Sequence, residues 1–412
     1  MIDSLQQLVA LQQHDTVELG ALLSLANEFL RKDLSIAKQY SFDIVSLADS
    51  PSEAKWLGSA YNYLVSIFQQ TGKPDSARYF LTLAREITNQ NPGNIKMRYN
   101  FNQAAGLFYK NQGEYKQALP YMLDNLKIWT IADENRAGLL LNLGNLYSKL
   151  GDFKTAAGYH LQSLRLFETS KNLRGQAFCF HSLGNDFFHI QQLADAENYF
   201  KKSLQLKKQL DDKRGVLTTT ISLGDVYKGM NRYRKAEEYY KTGLADAGKL
   251  KLPGEEARAL HQFGLLYKRM GENQKARESF TRSMVLSKQM SDSATLATTR
   301  SEILNLDLHE QNKEKIEAQM LDGLNTFIRN GDRQQESIEY YRLSEYYALN
   351  KNFEKALEYS KKYEALKDSL EGNAVRVQMK TLEEQFKNDK HEKEIELLKK
   401  DQALHKLELS RQ

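Results

Sequence analysis

The sequence predicts an all-α protein: a solenoid of about nine stacked helical hairpins followed by one long C-terminal helix. Three observations carry that expectation. The stretch 136–168, RAGLLLNLGNLYSKLGDFKTAAGYHLQSLRLFE, sets a grammar of small and aromatic residues that returns about every 40 residues, the mark of a stacked array. Within each copy the large apolar residues fall three and four apart, as Leu140, Leu143, Tyr147 and Leu150 do, which is the stripe of an amphipathic helix. Finally, 412 residues with 41% hydrophobic and 27% charged side chains but only five prolines suit a long, nearly all-helical chain.

The markers keep register along the chain. Leu143, Gly144, Tyr147, Ala156, Tyr159 and Leu164 define the template. Leu183, Gly184, Phe187, Ala196, Tyr199 and Leu204 repeat it, then Leu223, Gly224, Tyr227, Ala236, Tyr239 and Leu244. Phe263, Gly264, Tyr267, Ala276 and Phe280 follow, and Ser344, Tyr347, Ala356 and Tyr359 recover the pattern two steps later. Upstream stand Gly106, Tyr109, Ala118 and Tyr121, then Phe68, Ala77 and Phe80, then Ala37 with Tyr40. A glycine inside a helical stripe costs roughly 1 kcal/mol against alanine, so a close approach of the second helix is expected at Gly144, with Ala156 serving it from the other side. Gly151 and Asp152 supply the turn and the next helix start.

These residues resemble the tetratricopeptide repeat (TPR), with its Leu-Gly pair, an aromatic three residues after the glycine and an alanine twelve after it. The resemblance covers Leu19 to Leu370 and implies a right-handed superhelix that binds proteins or peptides without catalysis. The family's usual period is about 34, so longer helices or longer loops are expected here.

In chain order, residues 1–18 read as a short leading helix with Leu5, Leu8 and Leu11 on one side. The hairpins are expected at 19–49, 53–90, 95–131, 134–168, 174–209, 214–249, 254–289, 294–329 and 334–370, together a solenoid over 1–370. Ser50-Pro51-Ser52-Glu53 forms a capping box with proline at the first helical position. Asn91-Pro92-Gly93-Asn94 and Asp211-Asp212-Lys213-Arg214-Gly215 are polar turns. Pro120, inside a second helix, is expected to bend or delay it. The eighth copy is degenerate, with Leu304 in place of the glycine and Asp307 in place of the aromatic.

Residues 371–412 differ in kind and are expected to form a capping or linker helix. Val375, Met379, Leu382 and Phe386 suit the open end of an array. Residues 387–394 hold no apolar side chain, and Ile395, Leu397, Leu398, Leu404 and Leu407 then resume an apolar face of two heptads, which leaves a coiled-coil homodimer open. Ser410-Arg411-Gln412 carries no stop signal, as if the helix were cut in mid-course. A repeat array leading into Lys390-His391-Glu392-Lys393-Glu394-Ile395-Glu396-Leu397-Leu398-Lys399-Lys400 resembles the sensor half of TPR-coupled bacterial two-component histidine kinases. That resemblance implies a parent kinase anchored in a membrane, with the repeats on the periplasmic side. The alternative is a free-standing cytoplasmic scaffold or regulator. Phosphoacceptor and ATP-binding boxes do not occur, so no catalytic residue is carried over, and His391 reads as a solvated histidine in a charge run.

No enzyme, cofactor or metal is expected of this chain. The histidines are scattered, with His181 and His261 two hairpins apart, and no Gly-rich phosphate loop, nucleophile elbow or HExxH occurs. The single Cys179 excludes an intramolecular disulfide and reads as a buried packing thiol. No run of 18 apolar residues spans a membrane, and Met1-Ile2-Asp3-Ser4 is no secretory signal. Residues 201–288 carry 20 Lys+Arg against 10 Asp+Glu. Much of that charge (Lys201, Lys202, Lys207, Lys208, Arg234, Lys235) is expected on outward-facing second helices, a soluble surface with no nucleic-acid partner.

What remains is a groove for a protein or peptide partner. The family resemblance places ligand contacts on first helices around the Leu-Gly pair: Asn145 and Lys149, then His181, Asn185 and His189, then Asp225 and Lys228, then Arg258, His261, Lys268 and Arg269. Asparagine amides bond both the donor and the acceptor of a peptide backbone, so Asn145 and Asn185 make a peptide rail, and Arg258 and Lys268 suit a carboxylate.

Overall fold

The computed structural model describes residues 2–11, 15–30, 32–48, 50–128, 133–290, 293–306 and 313–371, together with Phe386 and Lys390. Every regular element among them is helical. Internal packing divides the chain into two compact units, Met1–Ile131 and Ala132–Gln412.

The first unit begins with α1 (Ile2–Ala10) and continues as three antiparallel pairs. These are α2 (Thr16–Phe29) with α3 (Leu34–Leu47), α4 (Ala54–Gln70) with α5 (Pro74–Gln90), and α6 (Ile95–Asn111) with α7 (Tyr115–Lys127). The second unit stacks six more pairs. They are α8 (Asp133–Lys149) with α9 (Phe153–Thr169), α10 (Leu173–His189) with α11 (Leu193–Gln209), and α12 (Lys213–Gly229) with α13 (Tyr233–Lys249). Then come α14 (Pro253–Arg269) with α15 (Asn273–Gln289), α16 (Ser293–Leu306) with α17 (Lys313–Asn330), and α18 (Arg333–Leu349) with α19 (Phe353–Glu371).

The 40-residue period comes from longer helices, not longer loops. From α8 to α15 each helix has 17 residues, and each turn between them has three. The middle residue of each turn lies in the left-handed region: Gly151 (φ 79°), Lys171 (55°), Gln191 (62°), Asp211 (50°), Asn231 (59°), Lys251 (52°) and Gly271 (78°). The next N–H then reaches back to close the helix end, as Asp152 N does to the Tyr147 carbonyl (2.9 Å) and Asn172 N to that of Phe167 (2.9 Å), which satisfies carbonyls a helix end would otherwise orphan. Asp152, Asn172 and Asp212 cap the following helices through their side chains. Only Asp211 and Asp212 belong to the turn expected at 211–215, because α12 has already begun at Lys213.

The repeat glycine has a fixed counterpart. A Cβ on Gly106, Gly144, Gly184, Gly224 or Gly264 would run into Met122, His160, Phe200, Tyr240 or Phe280 respectively, in each case the residue sixteen further on, across the hairpin. All five are buried, so each glycine is the socket for one large side chain. The alanines twelve after the glycine (Ala118, Ala156, Ala196, Ala236, Ala276) are fully buried beside that socket. A second device recurs nineteen residues after the glycine. Ser163, Ser203 and Ser283 donate to the carbonyls of Ala137 (2.7 Å), Ala177 (2.8 Å) and Ala257 (2.7 Å), and the Asn125 amide donates to that of Tyr99 (2.9 Å). Each bond ties the second helix of a hairpin to the backbone of the first, for a net contribution of about 1 kcal/mol. Only Gly243 in α13 breaks this series, because Ile221 occupies the space.

First helices of successive hairpins touch one another (α8 with α10, α10 with α12, α12 with α14, α14 with α16), while successive second helices meet more sparsely. The first helices therefore lie on the inside of the curve in the second unit. Its curvature returns the last hairpin to the first: Leu370 of α19 lies against Gly151, and Leu366 and Leu370 join the buried core built by α8 to α14. Phe386 stands under Arg165 (5.6 Å), and Lys390 pairs with Glu168 (2.7 Å) on α9.

Several expectations need correcting. In α1 the half-buried stripe is Ile2, Leu5 and Val9; Leu8 and Leu11 are exposed, because Val9 is the residue that packs on the α2–α4 core. Lys207 does not face outward: its side chain is 2% exposed, with Nζ bonded to Thr219 Oγ1 (2.9 Å). Pro120 does not delay α7, which starts at Tyr115 after the usual turn, although α7 ends after 13 residues. Leu304's side chain, Asp307 and the expected capping helix, apart from Phe386 and Lys390, lie outside the described residues.

Candidate functional site: the inner face of the second unit

The eleven expected contact residues all sit on α8, α10, α12 and α14, the helices that line the inside of the second unit. Five of the eleven are engaged by the next hairpin, and others are held within their own. Asn145 Oδ1 accepts from Ser182 (2.8 Å), His181 Nδ1 meets Thr219 Oγ1 (3.2 Å), and His261 Nδ1 meets Thr299 Oγ1 (2.9 Å). Lys228 donates to Asp225 (3.0 Å) and to Gln262 (2.7 Å), while Asp225 also accepts from Tyr240 (2.6 Å). Lys268 pairs with Glu302 (3.1 Å), and Arg258 with the buried Glu255 (2.6 Å), which also holds Arg214 (3.0 Å).

A rule of register underlies these bonds. The partners lie two or five residues before the repeat glycine's position in the following copy: Ser182, Gln262, Glu302 and Arg342, or Thr219, Thr299 and Glu339. The inner face is thus laced hairpin to hairpin before any ligand arrives. At its C-terminal end Arg342 is buried between Glu302 and Glu339, with Ser301 completing the network. These lacing residues were missed from sequence, although the same alignment that found the glycines placed them in constant columns.

The three expected histidines are half-buried, each against an aromatic ring. Burial pushes His181 and His189 down to about 3 and His261 to about 4, aided at His181 by Lys207 and at His189 by Lys149. His189 stacks on Phe153 (5.5 Å between centroids), and His181 and His261 lie against Phe200 and Phe280. Neutral, stacked imidazoles of this kind are poor direct contacts for an anionic ligand. Three expected residues make no hydrogen bond or ion pair among the described residues: the half-buried Asn185 and the exposed Lys149 and Arg269, although Lys149 stands near His189 and Asp332 and Arg269 near Tyr240.

No nucleophilic centre emerges from the half-buried Ser148 and the buried Asp186 and His160. Asp186 sits between the other two, accepting from Ser148 Oγ (2.6 Å) and meeting His160 Nδ1 (2.6 Å). The serine therefore touches no base, and His160 Nε2 points into the Gly144 socket without a partner. Cys179 is fully buried and donates to Ser163 (3.3 Å), and burial pushes its thiol up to about 12. Among the described residues no three His, Cys, Asp or Glu side chains converge as a metal site, and no helix is long and apolar enough to cross a membrane.

Stacked helical hairpins, most of their helices 17 residues long and joined by left-handed three-residue turns, with a glycine socket in five of them, make a tetratricopeptide-repeat solenoid. Family models described as tetratricopeptide repeat match residues 100–169, 176–247 and 257–288. No curated protein matches the chain. Among solved structures it is similar to a Rap protein complexed with competence and sporulation factor (14% identity, TM-score 0.69, covering 86% of this chain and 98% of that one). It is also similar to NprR in complex with its cognate peptide NprX (15%, 0.63, 85% and 99%). A third is the Rap conjugation gene regulator of the plasmid pLS20 in complex with the Phr* peptide (13%, 0.57, 86% and 98%). At these identities the likeness is one of fold.

Proposed function

We propose that this chain is a non-catalytic receptor for an extended peptide or protein segment laid along the inner face of α8 to α14, and that it serves as the signal-input region of a larger signalling protein. The observation that carries this reading is the free amide of Asn185, held half-buried on a face otherwise laced tight, with the exposed cations Lys149 one hairpin before it and Arg269 two hairpins after. A carboxamide without a partner offers both an N–H and a C=O to a peptide backbone, and a pre-ordered face keeps the entropic cost of capture low. Two of the similar solved structures hold peptides, which supports the same use of this fold. Coupling to a histidine kinase rests on the charged stretch at 390–400, of which only Lys390 is described.

The test is selection from a displayed library of random hexapeptides against the whole chain, followed by rebinding to variants. Asn185→Ala should weaken selected peptides at least about tenfold, the loss of one to two good hydrogen bonds, with helicity and melting unchanged. Lys149→Ala and Arg269→Ala should weaken those that carry acidic residues. Asn145→Ala is the contrast: it removes an inter-hairpin bond and should cost stability as well. Failure to enrich any peptide, or full binding by Asn185→Ala, would sink the proposal.

A further inference from the structure

A cavity of about 450 Å³ opens in the first unit between α4 and α6, and no residue named above as a contact lines it. Its lining is unusual for a repeat surface of this composition. It contains no charged side chain, but five carboxamides: Asn62, Gln69, Gln70, Asn111 and Gln112. Ser66 adds a hydroxyl, and Val65 and Leu107 give it an apolar floor. Two of the amides are used to shape the wall. Gln69 Nε2 crosses to the Phe108 carbonyl on α6 (3.3 Å), and Gln70 Nε2 donates to Ser66 Oγ (3.1 Å).

Asn62 is the telling residue. It is 9% exposed, its Oδ1 is sealed from solvent, and that oxygen has no hydrogen-bond donor. A buried acceptor left unpaired costs about 1–3 kcal/mol, which is recovered when the Asn62 amide turns so that its oxygen meets an N–H arriving in the cavity. Asn111 and Gln112 likewise have no side-chain partner among the described residues. The cavity falls within the range of about 300–1,000 Å³ typical of small-ligand sites.

We propose that this cavity is a second binding site, for a short uncharged peptide segment in extended form, which supplies a backbone N–H to Asn62 Oδ1. Amides on both walls match the alternating donors and acceptors of a peptide backbone. A carboxylate or ammonium buried among them would find no counter-charge, so the site selects against charged side chains. It is independent of the peptide reading of the second unit, and its variants leave Asn145 and Asn185 intact.

The experiment uses the whole chain and fluorescein-labelled tetrapeptides, acetylated and amidated, composed of Gly, Ala, Ser, Asn and Gln, beside the same set carrying one central Asp or Lys. Fluorescence anisotropy should show saturable binding of neutral members and at least tenfold weaker binding of charged ones. Asn62→Leu should abolish the neutral binding while raising the melting temperature, since it removes the orphaned acceptor. Asn185→Ala should leave that binding unchanged. Equal binding of charged and neutral sets, retention of binding by a folded Asn62→Leu protein, or no binding by the parent chain would each overturn the proposal.

Discussion

The glycine sockets lend themselves to a quantitative trial with an internal control. A Cβ added at Gly184 would lie 2.7 Å from Phe200 Cδ1 and 2.8 Å from its Cε1. Phe200 is 1% exposed and lies edge-on to His181 (5.2 Å), so the ring has nowhere to retreat. Overpacking of this kind costs about 1–3 kcal/mol. Against it stands the helix-propensity gain of replacing glycine by alanine, roughly 1 kcal/mol. Gly158, in the middle of α9, would meet nothing within 4 Å, so alanine there collects the gain alone. Gly158→Ala should therefore stabilise by up to about 1 kcal/mol, and Gly184→Ala should fall below it by about 1–3 kcal/mol, the difference being the clash. Urea unfolding followed by circular dichroism reads both, with the midpoint compared at unchanged slope. If Gly184→Ala proved as stabilising as Gly158→Ala, the socket account of the repeat would be wrong.

Two further outcomes follow. Cys179 should resist Ellman's reagent in the native protein and release one equivalent of chromophore in guanidinium; labelling of the native chain within minutes would contradict its burial and its raised thiol. The low values of His181, His189 and His261 mean that the folded protein keeps these rings neutral while the unfolded chain, with an ordinary value of 6.5, takes up protons first as pH falls. Stability should thus be full above about pH 7 and drop progressively between 6.5 and about 3–4, and a melting temperature independent of pH between 7.5 and 5 would refute the assignment.

The glycine and aromatic columns could be read without the structure because their chemistry is constant. The socket's occupant escaped notice for the opposite reason: Met122, His160, Phe200, Tyr240 and Phe280 share volume and little else, so no residue type recurs in that column. The serine column was hidden by its size, since Ser163 and Ser203 look like ordinary helix-surface polars until their donors are seen reaching across to the first helix. At the candidate site, the face was legible but not how each residue is used. Periodicity put His181, His189 and His261 on first helices, yet could not show that neighbouring rings would cover them. The same limit applied to Lys207, whose position on a second helix suggested solvent, whereas Phe178 and Thr219 enclose it. The amide cavity of the first unit lies in the second and third copies, and its lining holds no charged or histidine side chain that would draw attention.

A linear stack of repeats ordinarily frays from its two ends, because each terminal unit has a neighbour on one side only. The second unit escapes that fate in part, since Leu366 and Leu370 seat its final hairpin on the α8–α9 corner and give both termini a second neighbour. It is a hoop more than a rod, and its amide exchange should reflect this: α8 and α19 should open together, with protection closer to that of the middle hairpins than a row of dominoes would allow.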